Sequence, residues 1–314
     1  MRRPDTDTAR VISCHGSQAW VEMDDGVRRL CHLRGRSLTP LANDQVRLSV
    51  ENDPPIIESI GPRRNTLLRQ EGSREKRLAA NIDLAWVVVS GHPMFSTEIL
   101  QRVQASLASQ RIPCWILLNK SDRIDDSQAA AGHLLEITPQ RHAAASTGSA
   151  SPVIATHVHP GGLDGLMGKI DDVFHDRQVT IALLGQSGMG KSSLLNRLIP
   201  SALAQTQAIS EALQTGRHTT TSSQTYLWER GLIIDTPGFQ KFGIGHLDRE
   251  DLTALFPEWQ DIQRQEGACR FADCSHRHEP GCQIRQHASS LGLGHRLGQW
   301  EGLLRSLEAE QPGR

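Results

Sequence analysis

Residues 185–192 read Gly-Gln-Ser-Gly-Met-Gly-Lys-Ser, which fits the phosphate-binding pattern G-x-x-x-x-G-K-[ST]. An apolar strand predicted over 179–184 leads into this stretch, and a helix predicted over 192–199 leads out of it. Glycines let the backbone N–H groups of such a loop turn toward phosphate oxygens, and the helix N-terminus adds a positive dipole. Strand, loop and helix in this order predict an α/β domain that binds a nucleotide.

Two side chains of this phosphate loop have separate expected roles. Lys191 should reach the β- and γ-phosphates, and the Ser192 hydroxyl should bind Mg²⁺. The other residues would surround the phosphates with backbone N–H groups. The predicted nucleotide contacts of the stretch are Gly185, Gln186, Ser187, Gly188, Met189, Gly190, Lys191, Ser192 and Ser193.

A second short motif, Asp235-Thr-Pro-Gly238, follows an apolar strand predicted over 232–234. A carboxylate at the carboxyl end of a strand lies where α/β sheets bind their ligands. Asp235 is therefore expected to hold Mg²⁺ through water, and the Gly238 N–H to meet the γ-phosphate. Between the two motifs lies a polar switch loop, 216–221, from which one threonine would complete the Mg²⁺ shell. The candidates are Thr219, Thr220 and Thr221.

Base specificity is indicated by Asn119-Lys120-Ser121-Asp122, which ends a strand predicted over 113–118. The Asp122 carboxylate can accept hydrogen bonds from N1–H and the exocyclic amine of guanine, whereas adenine offers neither donor. Asn119 would tie this base motif to the phosphate loop, and the Lys120 stem would pack on the base. All four residues are predicted nucleotide contacts, and the motifs together indicate GTP and GDP as ligands.

The order of these motifs departs from that of ordinary GTPases, because the base motif precedes the phosphate loop. The motifs can still meet if the chain has been circularly permuted, which is tolerated when the original termini lie close together. In such a chain, the segment that senses the γ-phosphate runs directly into the C-terminal region. We therefore expect the nucleotide state to move that region.

Four side chains that bind metals are clustered in the pattern C-x4-C-x-H-x5-C. Cys269, Cys274, His276 and Cys282 form a Cys₃His set, which is typical of a closed structural zinc site. His278 is a rival to His276 as the nitrogen ligand. One structural Zn²⁺ would order a region that has few other core residues.

The remaining patterns predict three domains. Short β-type segments separated by turns indicate an OB barrel over 1–66. Alternating strands and helices indicate a circularly permuted α/β P-loop GTPase domain over 67–245, and a mostly α-helical zinc-binding domain covers 246–314. Its last helix has an apolar stripe of Leu297, Trp300, Leu303, Leu304 and Leu307. The basic stretch 63–77 is either a phosphate-facing patch or a solvated loop.

Composition excludes several classes of protein. With 38% hydrophobic and 22% charged residues, the chain is neither a disordered tail nor a membrane protein. The N-terminus lacks the apolar core of a secretory signal, so we expect a cytoplasmic protein with no membrane partner. A net charge of −1 gives no general attraction to a polyanion, but a local RNA-binding surface is still compatible with it. Nothing in the sequence indicates more than a monomer.

Several stretches together resemble one family, the circularly permuted RsgA GTPases of small-ribosomal-subunit assembly. They are 60–65 (Ile-Gly-Pro-Arg-Arg-Asn), 79–83 (Ala-Ala-Asn-Ile-Asp), 216–221 (Gly-Arg-His-Thr-Thr-Thr), 235–239 (Asp-Thr-Pro-Gly-Phe), 246–247, 256–258 and the cysteine cluster. The resemblance covers nearly the whole chain and implies an OB barrel, a permuted GTPase domain and a zinc domain. It also implies binding to the 30S subunit and its 16S rRNA late in maturation, ribosome-stimulated GTP hydrolysis, and dissociation afterwards.

The resemblance implicates a histidine after the D-x-x-G motif in catalysis, and this histidine corresponds to His246. Phe239 stands where many GTPases have a glutamine that positions water. An apolar side chain cannot orient water, so intrinsic hydrolysis should be slow. Three other places depart from the family's pattern: Thr156-His157 for Ser-Ala, Gly245 for tryptophan, and Asn43-Asp44 for Gly-Asp.

Two other classes of function fit part of the sequence. A non-enzymatic RNA-binding adaptor would keep GTP as a structural ligand, as Phe239 allows, and ribosomal subunits would not raise its hydrolysis. A P-loop ATPase of nucleic-acid metabolism would need adenine selectivity, against which Asp122 argues. Competition between nucleotides separates the ATPase from the GTPase.

Overall fold

The computed structural model describes residues 6–35, 37–49, 51–72, 74–137, 151–175, 177–202 and 222–311. Its N-terminal strands are β1 (Thr6–His15), β2 (Gln18–Met23), β3 (Arg28–Leu33), β4 (Gln45–Ser49) and β5 (Ile56–Ile60). They pair in the order β1-β2-β3-β5-β4, and β1 also pairs with β4, so the sheet closes into a barrel. Apolar side chains that include Val11, Val21 and Leu48 fill its interior. The predicted N-terminal barrel is confirmed.

The turn before β4 explains one departure from the family's pattern. Asn43 has a φ of 69°, a left-handed conformation that suits glycine and that asparagine tolerates. The adjacent Asp44 is buried and accepts hydrogen bonds from Leu41 N at 2.7 Å and from Arg63 Nε at 2.8 Å. Arg63 is therefore engaged in the structure of the barrel itself.

A hairpin follows the barrel, β6 (Thr66–Glu71) and β7 (Arg74–Ala80), where the sequence suggested a loop or a basic patch. Three of its basic side chains lie beside acidic ones, in the pairs Arg69–Glu71, Lys76–Glu71 and Arg77–Glu75. These acidic neighbours offset part of the positive charge of the hairpin.

The central sheet contains β8 (Leu84–Ser90), β9 (Cys114–Asn119), β10 (Val153–Ala155), β11 (Val179–Gly185), β12 (Gln224–Trp228) and β13 (Gly231–Asp235). The order is β10-β9-β8-β11-β13-β12, and all strands except β12 run parallel. The helices of this part are α1 (Thr97–Ser109), α2 (Ile124–Ile137), α3 (Asp164–Phe174) and α4 (Lys191–Leu198). β8 is buried along its whole length, as expected of a strand inside a covered parallel sheet. The predicted α/β arrangement is confirmed.

Within the described residues, the barrel and the central sheet form one continuous sheet of eleven strands. Their junction is an antiparallel pairing of β1 with β12, through Ser13 and Gln224. Gln224 in turn pairs with Asp235 on β13. A row of three residues therefore connects the barrel with the carboxyl end of β13.

The C-terminal region is helical, with α5 (Arg249–Thr253), α6 (Pro257–Glu266), α7 (Gln283–Ala288) and α8 (Gly294–Glu310). The apolar stripe of the last helix lies in the core, since Trp300, Leu303, Leu304 and Leu307 are buried. The Trp300 ring packs edge-on against Phe256 and Trp259, with centroids 5.4 and 4.6 Å apart. α8 also returns to the central domain, where it contacts α1 and α2. None of the helices in the described ranges is both long and apolar enough to cross a bilayer.

Candidate functional site

Three strands that carry motifs end at the carboxyl edge of the central sheet, where β8 separates β9 from the neighbours β11 and β13. β9 ends at Asn119, β11 at Gly185 and β13 at Asp235, and each of these is the first residue of one of the motifs. Parallel strands place their carboxyl ends at one edge, where α/β sheets bind ligands. The permuted order of the motifs along the chain therefore does not separate them in space.

The phosphate loop has a backbone that requires glycine. Gly188 and Gly190 have φ values of 87° and 91°, in the left-handed region. A Cβ at Gly190 would lie 2.4 Å from Asn119 Nδ2, so the close approach of the two loops leaves no space for a side chain. α4 begins at Lys191, whose Nζ donates to Gly185 O at 2.8 Å. The N-terminus of a helix behind such a loop suits an anion.

The base motif is fixed to the phosphate loop by two side chains. Asn119 Nδ2 donates to Met189 O at 3.0 Å. Lys120 Nζ donates to Gly188 O at 2.8 Å and to His92 O at 2.7 Å. Two stretches that are far apart in the chain are thus held together by hydrogen bonds to main-chain carbonyls.

The loop after β10 holds the base motif from the other side. Thr156 O accepts hydrogen bonds from Ser121 N and Oγ, both at 3.0 Å, and Thr156 Oγ1 donates to Asn119 Oδ1 at 3.4 Å. The Asp122 side chain is 38% exposed, with His159 Nε2 at 3.7 Å from its Oδ2. This loop departs from the family's pattern. Even so, it keeps its contact with the base motif, and it leaves the Asp122 carboxylate open to a base.

Asp235 carries a buried oxygen that is ready for a ligand. Its Oδ1 has no hydrogen-bond partner within the part of the chain that the structure describes. Burial raises the pKa of Asp235 to about 6, although the nearby Lys191 ammonium acts to lower it. An unpaired buried carboxylate oxygen calls for an explanation, and a Mg²⁺ ion with its waters would supply one.

Gly238 completes the site from the D-x-x-G motif. A Cβ at Gly238 would lie 3.0 Å from Lys191 Nζ and 3.1 Å from Ser187 Oγ, so this glycine faces both groups of the phosphate loop closely. Ser192 is exposed beside them. These residues fit a nucleotide with its Mg²⁺. The three candidate threonines Thr219, Thr220 and Thr221 lie outside the described residues.

The Asp235→Asn variant is expected to be more stable than the natural protein when nucleotide and Mg²⁺ are absent. Folded Asp235 keeps its proton up to about pH 6, whereas the unfolded chain releases it near 3.8. The free energy of unfolding of the natural protein therefore falls as the pH rises from about 4 to about 6, and it stays lower above that range. The free energy of unfolding of the variant does not undergo this decrease, which is roughly 2–3 kcal/mol.

Thermal unfolding at two pH values tests this expectation. The midpoint of the Asp235→Asn variant should exceed that of the natural protein at pH 8, where the natural carboxyl is ionised, and the two midpoints should agree at pH 4. A difference of equal size at both pH values would contradict the assignment, because it could not come from the titration of Asp235.

The two residues connected with hydrolysis have side chains that contact other partners. The main chain of Phe239 adjoins the phosphate loop, where its O accepts a hydrogen bond from a loop N–H at 3.3 Å. Phe239 is buried against Phe242, with ring centroids 5.2 Å apart. His246 Nε2 lies 3.3 Å from Ser106 Oγ, which itself donates to Leu68 O. Burial lowers the pKa of His246. Among the described residues, no hydrogen bond joins His246 to the phosphate loop, and its catalytic role stays a prediction.

The four predicted zinc ligands meet between α6 and α7. Their ligand atoms all lie within 4.8 Å of one another in the set Cys269, Cys274, His276 and Cys282. Cys269 Sγ is 4.0 Å from Cys282 Sγ and 3.7 Å from His276 Nδ1. Ligands bound at ~2.3 Å (sulfur) and ~2.0 Å (nitrogen) around a tetrahedral ion have similar separations. The set fits Zn²⁺, and the rival His278 is not part of it.

Glu279 organises the loop between these ligands, and the cysteine pattern did not indicate this role. Its carboxylate accepts hydrogen bonds from the backbone N–H groups of Ser275 at 2.7 Å, Arg277 at 3.1 Å and His278 at 3.2 Å. Burial acts to raise the pKa of Glu279, but these hydrogen bonds hold it well below its usual range. The only local signal of so tight a loop is the Pro-Gly pair that follows.

Comparisons with known proteins agree with this geometry. A family model described as RsgA GTPase matches residues 60–245. The chain is 39% identical over 277 residues to the small ribosomal subunit biogenesis GTPase RsgA of Bordetella pertussis, with 87% of each chain covered. It is 35% identical over 285 residues to the protein of the same name from Variovorax paradoxus, covering 90% of this chain and 85% of the relative.

Two solved structures share the architecture. YjeQ from Thermotoga maritima superposes with a TM-score of 0.69 at 25% identity, covering 98% of this chain and 99% of the other. YloQ, described as a circularly permuted GTPase, superposes with a TM-score of 0.66 at 23% identity, covering 100% and 99%. The second likeness concerns the fold alone.

Proposed function

Because the chain belongs to the RsgA GTPase family and is a GTP hydrolase, we propose that it acts in the late maturation of the small (30S) ribosomal subunit. In this proposal the chain binds the immature subunit in its GTP form and hydrolyses GTP when the subunit stimulates it. It then dissociates. It works in the cytoplasm as a monomer, and it contacts the 16S rRNA of the subunit.

The observation that carries the proposal is the attachment of the base motif to the phosphate loop through Asn119 and Lys120. Given that attachment, Asp122 would accept the two donors of guanine while Lys191 meets the β- and γ-phosphates. Ser192 and Asp235 would hold Mg²⁺, which when bound neutralises charge on the phosphate oxygens. The role of the protein itself is to position the phosphates with N–H groups and to reject adenine.

The placement of two residues supports a dependence on the ribosome. Phe239 is buried in the core, and His246 is hydrogen-bonded to Ser106 on α1, so neither is positioned to orient an attacking water. We therefore expect slow hydrolysis by the free protein and a rearrangement on the subunit. The barrel and the zinc region are the proposed rRNA contacts, because one joins the nucleotide site through β12 and the other lies downstream of Gly238 in the chain.

Hydrolysis of GTP by the purified protein, alone and with purified 30S subunits at fixed Mg²⁺ and salt, tests the proposal. We expect the 30S subunit to raise the rate roughly tenfold or more, and the 50S subunit to leave it unchanged. A rate that 30S does not change, with GTP still bound, would favour the adaptor in which GTP is a structural ligand. Preference for ATP in competition would instead support an ATPase.

A further inference from the structure

The end of α8 lies against the segment that follows the D-x-x-G motif, residues 240–247, here called the post-switch segment. Glu310 is the last residue of α8, and its Oε2 accepts hydrogen bonds from Ile244 N and Gly245 N, both at 2.7 Å. One carboxylate oxygen thus satisfies two consecutive backbone donors. Hydrogen bonds to an ionised group are roughly twice as strong as those between neutral groups.

Two neighbouring side chains reinforce this contact. Arg102 Nη1, on α1, donates to Glu310 Oε1 at 3.1 Å. Gln311 Nε2 donates to Gly245 O at 2.8 Å and to Leu247 O at 2.7 Å. The main chain of the post-switch segment is therefore held through both its donors and its acceptors by residues at the end of α8.

Glycines in the segment make so close an approach possible. A Cβ at Gly243 would lie 2.6 Å from Gln70 O and 2.8 Å from Glu310 Oε2. A Cβ at Gly245 would lie 3.2 Å from Glu310 Cβ and 3.3 Å from Gln70 Cγ. The segment is sandwiched between β6 and α8, and a side chain at either position would push it out of this place.

The same contacts determine the position of His246, which follows Gly245 directly. Its ring lies against Ser106, in the second half of α1. The phosphate loop meets the beginning of that helix, where Ser96 N donates to Gln186 Oε1 at 2.8 Å. At ~1.5 Å per residue, Ser106 lies about 15 Å further along the helix. A residue that acts on the attacking water must come within hydrogen-bond reach of it.

A cavity of about 800 Å³ lies beside the post-switch segment. Gly238, Arg102 and Glu310 are among the residues that line it. It extends from the phosphate end of the D-x-x-G motif to the end of α8. The segment therefore has space to move toward the phosphate loop once its hydrogen bonds to the end of α8, and the one from Gln70 N to Gly243 O at 2.9 Å, are broken.

We propose that Glu310 is a positioning residue for GTP hydrolysis, which keeps the post-switch segment and His246 in a place that does not support the reaction. This inference rests on the proposed function, in which His246 takes part in hydrolysis and the 30S subunit stimulates it. Docking of the C-terminal region on the subunit displaces the end of α8, breaks the hydrogen bonds to Glu310 and releases the segment. The permuted chain suits this arrangement, because the segment leads directly into the region that α8 completes.

The Glu310→Ala variant tests the proposal in single-turnover hydrolysis without ribosomes. The rate should rise about tenfold, because more molecules have the segment released. The Kd for GTP should stay the same, because no residue of the nucleotide site is altered, and the stimulation by 30S should shrink by the same factor. The matched control is Glu301→Ala on the same helix, since the Glu301 carboxylate pairs only weakly with Arg305 at 3.8 Å. The control should leave the rate unchanged.

Hydrogen exchange reports on the contact itself, independently of activity. The amides of Ile244 and Gly245 should exchange faster in Glu310→Ala than in the natural protein and the control, and Glu310→Gln, which keeps an acceptor oxygen, should be intermediate. Faster exchange with an unchanged or lower rate of hydrolysis would overturn the proposal. A gain in rate that survives in the double variant Glu310→Ala, His246→Ala would overturn the part assigned to His246.

The outcome also separates this inference from the proposed function. If 30S fails to stimulate the natural protein, the proposed function fails. The hydrolysis rates without ribosomes still test the role of Glu310. If 30S stimulates the natural protein and Glu310→Ala equally, with equal rates in its absence, the proposed function stands and the role of Glu310 is refuted.

Discussion

The Asp122→Asn variant is expected to lose GTP affinity by about a hundredfold or more and to gain affinity for xanthosine triphosphate. Guanine presents two donors to this position, and a carboxylate accepts both. An amide at 122 would turn one of its own donors toward the exocyclic amine of guanine, leaving two donors facing each other without an acceptor. Xanthine has a carbonyl in place of that amine, so it matches the amide. Equilibrium binding of GTP and xanthosine triphosphate measures this change in nucleotide preference.

The matched control is Asp125→Asn, which makes the same chemical change in the exposed first turn of α2. It should leave both affinities as they are in the natural protein. A preference for GTP that persists in Asp122→Asn would show that the base is recognised elsewhere. Loss of both nucleotides would point to a disturbed loop, and the contact of Ser121 with Thr156 would then be the place to look.

Removal of the predicted zinc ligand His276 is expected to unfold much of the C-terminal region. Zinc bound to a small Cys₃His site contributes about 10 kcal/mol or more of apparent binding free energy, which is also folding free energy. Trp259 and Trp300 pack beside the His276 ring, with centroids 5.2 and 6.0 Å away. The His276→Ala variant should therefore lose its zinc, shift its tryptophan emission to the red and unfold at a lower temperature.

His278→Ala is the control, since His278 is exposed two residues away and its ring does not belong to the ligand cluster. Metal analysis should find one zinc per chain in this variant, and its tryptophan emission should match that of the natural protein. Zinc lost from His278→Ala and retained by His276→Ala would falsify the ligand assignment. GTP binding should persist in both variants, because the base motif and the phosphate loop are fixed to each other within the central domain.

The meeting of the nucleotide motifs at one candidate site could be predicted from the sequence because each motif is a short run with local chemistry. Gly190 and Lys191 are recognisable without knowledge of the fold, since a glycine turn and a helix start lie within one stretch. The meeting of Asn119 with Met189 is distant in the chain, yet it follows from the rule that parallel strands end at one edge. The four predicted zinc ligands are close together in sequence, so their spacing was sufficient to predict that they cluster.

Other contacts could not be predicted, because their partners are distant and leave no pattern. Glu310 ends an amphipathic helix and looks like a solvent-exposed glutamate, while its partners are two main-chain N–H groups with no chemical signature of their own. Arg63 belongs to a basic stretch that suggests phosphate binding, until the fold brings it to the buried Asp44. A local pattern gives the charge of a side chain but does not give the group that it will meet.

The pairing of β1 with β12 also bears on how the protein is synthesised. β1 closes on β4 while the chain is still short, because both strands lie near the N-terminus. Ser13, near the end of β1, gains its neighbour on β12 only when Gln224 has left the ribosome, after the phosphate loop has been made. Until then the nascent barrel has an open strand edge, which is the kind of surface that promotes mispairing between chains. Because synthesis runs from the N-terminus, this edge of β1 stays uncovered until the nucleotide-binding sheet can fold beside it.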